Sequence, residues 1–405
     1  MVSKKTLAVL LALTVLLTAV STFTLGNVLL VGIGEKVLVD RQQLQRYQAL
    51  EAEFGEVVAL QELVSQQFYK DTAQVDFETG LKRSLFQSLE DPYSVYFDAE
   101  EYKSFNEASE GSYGGIGVIV SPGEDGLITV VSPIEDTPGE RAGLTTGDRI
   151  IKVDGADVFG EKIDEAVSRM KGQPGTDVVL TLLKKDNEQK DITITREQIV
   201  IKSAKSEMLP EQIGYLKLNA FDEKSAKEFN SHLDGLLSQG AKGLILDLRN
   251  NPGGSLDQCV LIADRLLGDQ VIVSTKDRAG NEDIERSDAK ALDIPYVLLV
   301  NEGSASASEI LTGAVQDTDS GTVIGTKTFG KGLVQAVSGL PDGSGYKITV
   351  AQYFTPNGAY IHGKGIEPDI VVALPDELKE KADLTHGEDP QFLKALEVLR
   401  AKLQP

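Results

Sequence analysis

At 405 residues and 41% hydrophobic content, the chain is too long for one ordinary domain and rich enough to build two or three cores. Forty Lys and Arg against 62 Asp and Glu leave a net charge of −22, which argues against a nucleic-acid partner, because phosphate binding rests on clustered cations. A single cysteine, Cys259, rules out an internal disulfide framework or a cysteine metal site; with Leu256 and Ala263 it follows helical spacing and is expected in the core.

In chain order, the first element follows Lys4 and Lys5: residues 6–34, 29 in all, carry no charge. As a helix rising ~1.5 Å per residue they exceed the ~30 Å hydrocarbon core. A membrane segment within residues 1–34 is predicted, its positive flank keeping the N-terminus cytoplasmic and the rest outside. Ala-Val-Ser at 19–21 resembles a signal-peptide cleavage site, but the apolar run continues through 28–33, so a retained anchor is expected. Residues 35–110 read as helical, with Leu44, Tyr47, Leu50 and then Phe77, Leu81, Leu85 and Leu89 recurring at three to four residues until Asp91-Pro92. Residues 111–198 change to short β-branched runs between glycines, at 116–120, 128–131, 149–153 and 178–183, a small β-rich module. Over 199–375 strands alternate with helices, the rhythm of an α/β core. Residues 376–405 form a charged helical tail with Phe392, Leu393, Leu396 and Leu399 on one side. The whole is an α+β multidomain chain without a fixed-period repeat.

Chemistry concentrates in two runs of the core, Gly-Ser-Ala-Ser-Ala-Ser-Glu at 303–309 and Thr-Phe-Gly-Lys-Gly-Leu-Val-Gln at 328–335. A serine hydroxyl is a weak nucleophile until a base removes its proton, and lysine serves only if burial or a nearby cation lowers its pKa. Ser306 with Lys331 meets that description. Small neighbours leave room for a carbonyl, and a turn into a helix from Ala307 aims backbone N–H groups, that of Ala307 first, at developing negative charge. The competing readings are ordinary: serine caps helices, and Ser255 also follows a strand but lacks an evident base. Lys331 lacks the flanks of a phosphate-binding P-loop. Gln335 sits in an apolar strand-like run, and Asp317 ends a helix. Of His232, His362 and His386, only His362, in the run at 360–365, leaves a Ser-His pair open. No His-Glu-x-x-His pair or other metal cluster is recognisable, so neither metal nor cofactor is expected.

Two resemblances sharpen this. Tyr-Gly-Gly-Ile-Gly-Val at 113–118 and Ala-Gly-Leu-Thr-Thr-Gly-Asp-Arg-Ile-Ile-Lys-Val-Asp-Gly at 142–155 make residues 111–198 resemble a PDZ domain. That resemblance implies a carboxylate-binding loop at Gly114, Gly115, Ile116, Gly117 and Val118, and a flanking helix over 164–171 with Ile163, Val167 and Met170 against an apolar side chain of a bound peptide end. Nearly everything after the anchor resembles a carboxyl-terminal processing protease, a tail-specific serine peptidase of family S41 with an inserted PDZ domain.

The second resemblance implies a crotonase/ClpP-like α/β core, with Ser306 as nucleophile, Lys331 as base and Gln335 orienting the amine. It also implies an oxyanion donor at Gly253 or Gly254 beside that of Ala307, and supporting roles for Asp317, Glu309 and Thr328. Protein substrates with apolar C-termini, a homodimer, and gating by the PDZ domain are implied too. One departure is Lys171, where the family pattern has arginine; a gating contact needing a guanidinium fork is thereby in question. The opposing readings are a membrane-tethered PDZ scaffold with an idle core, and an enzyme acting on acyl thioesters, which the anchor and PDZ insertion disfavour.

Overall fold

The computed structural model describes residues 3–27, 32–33, 36–37, 40–123, 125–184, 188–379 and 384–404. The chain divides into two compact units, residues 1–82 and 83–405. Residues 28–31 and 34, at the far end of the predicted anchor, lie outside the described residues, as do 380–383 and 405 of the predicted tail.

In the first unit, helix α1 (Lys4–Asn27) is long and apolar enough over Lys4–Thr22 to cross a membrane. Helix α2 (Arg41–Gln67) starts at Asp40, whose carboxylate accepts the N–H groups of Gln42 and Gln43 at 2.7 and 2.9 Å. The helix buries no residue, so the predicted stripe of Leu44, Tyr47 and Leu50 is present but exposed. Helix α3 (Phe77–Gln87) closes the helical stretch.

The helical reading of 35–110 fails over residues 91–97. Pro92 cannot continue a helix, Asp91 folds back to take the Tyr93 N–H at 3.0 Å, and Val-Tyr-Phe forms strand β1 (Val95–Phe97). Helix α4 (Ala99–Ser109) resumes behind a capping box of Asp98 and Glu101, both held by Arg83 at 2.9 Å.

The module enters on β2 (Ser112–Gly115) and leaves on β8 (Glu197–Val200), which pair antiparallel, Ile199 opposite Tyr113. Between them lie β3 (Val118–Pro122), β4 (Ile128–Pro133), β5 (Arg149–Val153), helix α5 (Ile163–Met170), β6 (Asp177–Leu183) and β7 (Gln189–Thr195), in sheet order β7-β6-β5-β4-β3. Alternation places Val178, Leu180 and Leu182 of β6 inward, fully buried with Ile128, Ile150 and Ala166.

The core is a six-stranded sheet of β9 (Ala204–Leu209), β10 (Ile213–Leu218), β11 (Gly243–Asp247), β14 (Tyr296–Val300), β15 (Thr322–Gly325) and β18 (Ile370–Val371), in that order. From β10 onward every neighbour is parallel. All residues of β11 and β14 are buried, as expected of strands covered on both faces. One face carries helices α6 (Ser225–Ser238), α7 (Leu256–Leu266) and α8 (Ala307–Asp317), with Phe229, Leu233, Cys259, Ile262, Leu311 and Ala314 in one cluster. The other is covered by α9 (Pro390–Leu403) through Phe392, Ala395 and Leu399. Of the predicted tail stripe, Leu393 instead points outward, 46% exposed.

A second sheet, β13 (Glu282–Arg286), β12 (Val271–Asp277), β17 (Gly345–Phe354) and β16 (Leu333–Gly339), also receives β1 on β17. Its inner residue Tyr353 joins the core-helix cluster.

Candidate active site

The buried strand β14 ends at Val300, and the serine run turns the chain into α8. The three serines part company there. Ser304 donates to the Leu248 carbonyl at 2.8 Å and Ser308 to that of Asn251 at 2.9 Å, both fully buried fasteners between adjacent loops. Ser306 alone is half-exposed, with φ 54° and ψ −115°, a conformation that side-chain-bearing residues adopt only under constraint. The constraint is visible. The N–H groups of Glu309 and Ile310 converge on the Ser306 carbonyl at 2.8 and 2.9 Å, and the Glu309 carboxylate accepts the Ser306 N–H at 3.0 Å.

Glu309 is fully buried and accepts four hydrogen bonds. One oxygen takes the Thr328 hydroxyl at 2.6 Å and the Gly330 N–H at 2.7 Å; the other takes the Ser306 N–H and the Lys331 N–H at 2.8 Å. One carboxylate thus pins both the serine turn and the glycine-lysine turn, and Thr328 passes the fixation on by accepting the Ile366 N–H at 2.7 Å. From β17 the Tyr353 hydroxyl reaches the carbonyls of Ser306, at 3.1 Å, and of Lys331. Strand alternation alone did not single out this tyrosine.

The Lys331 side chain is half-buried with its ammonium 4.8 Å from the centre of the Tyr93 ring. Burial, then the charge of Lys347, lower its pKa, against the opposite pull of Asp91 and Glu309. Among the described residues no hydrogen bond joins its amine to Ser306. Nor does Gln335 reach it: the Gln335 amide donates to Thr349 at 3.4 Å, and Thr349 donates to Asp91 at 2.6 Å. Burial works against ionised Asp91, but hydrogen bonds from Ser94, Thr349 and Tyr93 hold its carboxyl below the usual range. Asp91, Tyr93 and Lys347 carry no motif and went unnoticed in the sequence.

The loop at 249–255 brings the glycines alongside. Asn251, fully buried, spends its side-chain oxygen on the Gly253 N–H at 2.9 Å and its amide on the Leu218 carbonyl at 2.9 Å. Among the described residues, the N–H groups of Gly254 and Ala307 carry no hydrogen bond. Gly253 has φ 95°, and a β-carbon there would lie 2.5 Å from the Ala305 carbonyl oxygen and 2.8 Å from both the Ala307 nitrogen and the Ser306 β-carbon. Ser255 caps α7 by accepting the Gln258 N–H at 3.3 Å. Behind the loop, Arg249 grips Asp247 and Asp389, at 2.6 Å each, and donates to Gln391 at 3.0 Å. A buried arginine so fully paired fixes the loop's start, a role no local spacing announced.

Ser306, Ala307, Gly253, Gly254, Lys331 and Gln335 all line one cavity of about 810 Å³. Asp317 accepts the Asn357 N–H at 2.8 Å away from that lining. None of the histidines lines that cavity: His232 bonds Ser206 at 2.7 Å, His386 stacks on Phe392, and His362 packs against Tyr93 and Tyr360.

In the PDZ-like module, Gly117 has φ 71° with its carbonyl held by the Thr137 hydroxyl at 3.0 Å. Val118 of β3 and Ile163 and Val167 of α5 are partly buried, whereas Met170, like Ile116, is buried within the module's core. Gly114 receives the Gly172 N–H on its carbonyl at 3.0 Å, and the Gly115 position abuts the Tyr113 ring. Lys171 lies 3.9 Å from Glu107 of α4 and 5.0 Å from the centre of the Tyr113 ring, a point-charge contact where a guanidinium fork was in question.

A strained serine and a half-buried lysine share one cavity in an α/β core with a PDZ-like insertion, and the matches to known proteins make this a serine-type peptidase. The model of peptidase family S41 matches residues 212–372, and a PDZ domain model matches 129–184. Carboxy-terminal processing protease CtpA of Bacillus subtilis is 38% identical over 331 residues, 81% of this chain and 71% of that protein. A carboxy-terminal-processing protease of Bartonella bacilliformis is 43% identical over 308 residues, 74% of this chain and 70% of that one. A solved S41 protease structure from Bacteroides fragilis shares the fold, with TM-score 0.54 at 16% identity over 80% of this chain and 90% of that chain. The chain belongs to the carboxy-terminal processing proteases of peptidase family S41.

Proposed function

We propose that this peptidase is an endopeptidase anchored by residues 1–34, with a helical region at 35–110, a PDZ domain at 111–198 that captures the apolar C-terminal tails of protein substrates, a catalytic core at 199–375 and a C-terminal helical segment at 376–405. The anchor places the catalytic part outside the cytoplasmic membrane, and the chain works as a homodimer. The observation that carries the catalytic reading is the Glu309 carboxylate, one oxygen of which holds the N–H groups of both Ser306 and Lys331.

In this reading Lys331, neutral, leaves the Tyr93 ring and accepts the Ser306 proton while Ser306 attacks the peptide carbonyl. The oxyanion forms between the free N–H groups of Ala307 and Gly254; Gly253, its own N–H already spent on Asn251, shapes the hole. Lys331 then protonates the leaving amine, and water repeats the cycle on the acyl-enzyme. Gln335 joins Lys331 on giving up Thr349, and Glu309, Thr328 and Asp317 support the turns. The disengaged amine describes a resting state, and tail binding by the PDZ domain shifts the population toward the engaged one.

The test uses the full chain in detergent with protein substrates differing only in their last residues. Tails ending in Ala or Val are expected to be shortened faster than tails ending in Asp or Glu. Bound tails without any cleavage would favour the scaffold reading, and a preference for acidic ends would remove the apolar groove. A second expectation concerns the loop: Gly253→Ala pushes a methyl against Ala307 and Ser306 from a backbone that disfavours it, and kcat should fall ~100-fold or more with tail binding retained. A variant with parental kcat would take this loop out of the oxyanion site.

A further inference from the structure

The cavity holds a second cation that the mechanism above does not use. Lys347 lies on β17 opposite Val337 and two residues before Thr349, which faces Gln335, so strand geometry turns Lys347 and Thr349 to the same side. Its side chain lines the same cavity as Ser306 and Lys331. The ammonium sits 6.0 and 5.6 Å from the ring centres of Phe97 and Phe105, and among the described residues it forms no ion pair.

We propose that Lys347 is a positioning residue acting through Lys331: its retained positive charge opposes a second one in the cavity and so leaves the Lys331 amine free to accept the Ser306 proton. This rests on the Ser306–Lys331 reading. The surroundings of both amines agree with it. Asp91, the carboxylate acting on both, has its oxygens occupied by the Tyr93 N–H and the hydroxyls of Ser94 and Thr349. Glu309, facing Lys331 from α8, is saturated by its four donors. Tyr353 contacts Lys331 through the latter's carbonyl, and His362 meets the Tyr93 ring edge-on at 6.1 Å between centres. Neutral donors, not ion pairs, therefore satisfy both carboxylates; Asp222, Glu223 and Asp257 also line the cavity but, among the described residues, form no ion pair with either amine, and the charge of Lys347 acts on Lys331. Burial lowers the pKa of Lys347 too, against the pull of Asp91, but two aromatic rings stand by its ammonium against one at Lys331, and only Lys331 also bears the charge of the other lysine.

The experiment reads Lys331 directly. In full-length Ser306→Ala protein, trace acylation of lysines with acetic anhydride is followed across a pH series, and the Lys331 peptide is quantified by mass spectrometry. Lys347→Met, which keeps the stem packed on Phe97 and Phe105, should raise the midpoint of Lys331 labelling by about one pH unit. Lys347→Arg should leave it at the parent value. An unmoved midpoint in Lys347→Met overturns the proposal, as does a shift of equal size in Lys347→Arg, which would assign the effect to packing. Because labelling needs no turnover, it stands apart from the base assignment: cleavage surviving in Lys331→Ala would defeat that assignment while leaving the labelling result intact.

Discussion

Lys331→Ala and Ser306→Ala should each lower kcat by ~1,000-fold or more while leaving the binding of substrate tails unchanged. The two losses should not add in the double variant, since an alcohol without its base and a base without its alcohol fail at the same step. The pH dependence carries a sign. Below the lowered pKa of Lys331 the amine is protonated and accepts nothing; kcat/KM therefore rises with pH through that pKa and levels off above it. Lys331→Ala should lose this limb along with its rate. Full turnover in Lys331→Ala, or a profile falling across the same range, would show that another group takes the proton.

The second large effect is expected at Glu309. Glutamine is nearly the same shape, but its NH2 group must face two donors, either Thr328 and Gly330 or Ser306 and Lys331, where a carboxylate oxygen accepted both. Two unsatisfied buried N–H or O–H groups cost about 2–4 kcal/mol, so the urea midpoint of Glu309→Gln should drop markedly. Activity should drop further than stability explains, because the released turn frees Ser306 from its strained φ. A Glu309→Gln protein with parental stability and kcat would reduce the cradle to decoration.

The serine and lysine runs were legible because each is a short local pattern whose chemistry is written in its own residue types. The reach of the other residues was not. Asp91, Tyr93, Lys347 and Tyr353 arrive through strand pairing of β1, β16 and β17, and alternation in a strand tells which face a side chain takes without telling what stands opposite. For the same reason Gln335, read as the partner of Lys331, is found on Thr349, the residue that its register opposes. The α/β alternation after residue 199 was plain from period and length. The break at Asp91-Pro92 was read, but not the strand at 95–97 that follows it, because three residues between two helices are too few to show a period. Which of two adjacent glycines keeps a free N–H was undecidable from spacing; in the structure Asn251 occupies that of Gly253.

Arg249 gives the enzyme a mechanical asymmetry. The loop that frames the cleft on the front of the sheet is moored, through its guanidinium, to Asp389 at the root of the helix on the back. Damage to that rear helix should therefore register at the Ser306 cavity, and a screen for inactive variants should return two clusters on opposite sides of the sheet, linked by this arginine and by the strands the helix packs on.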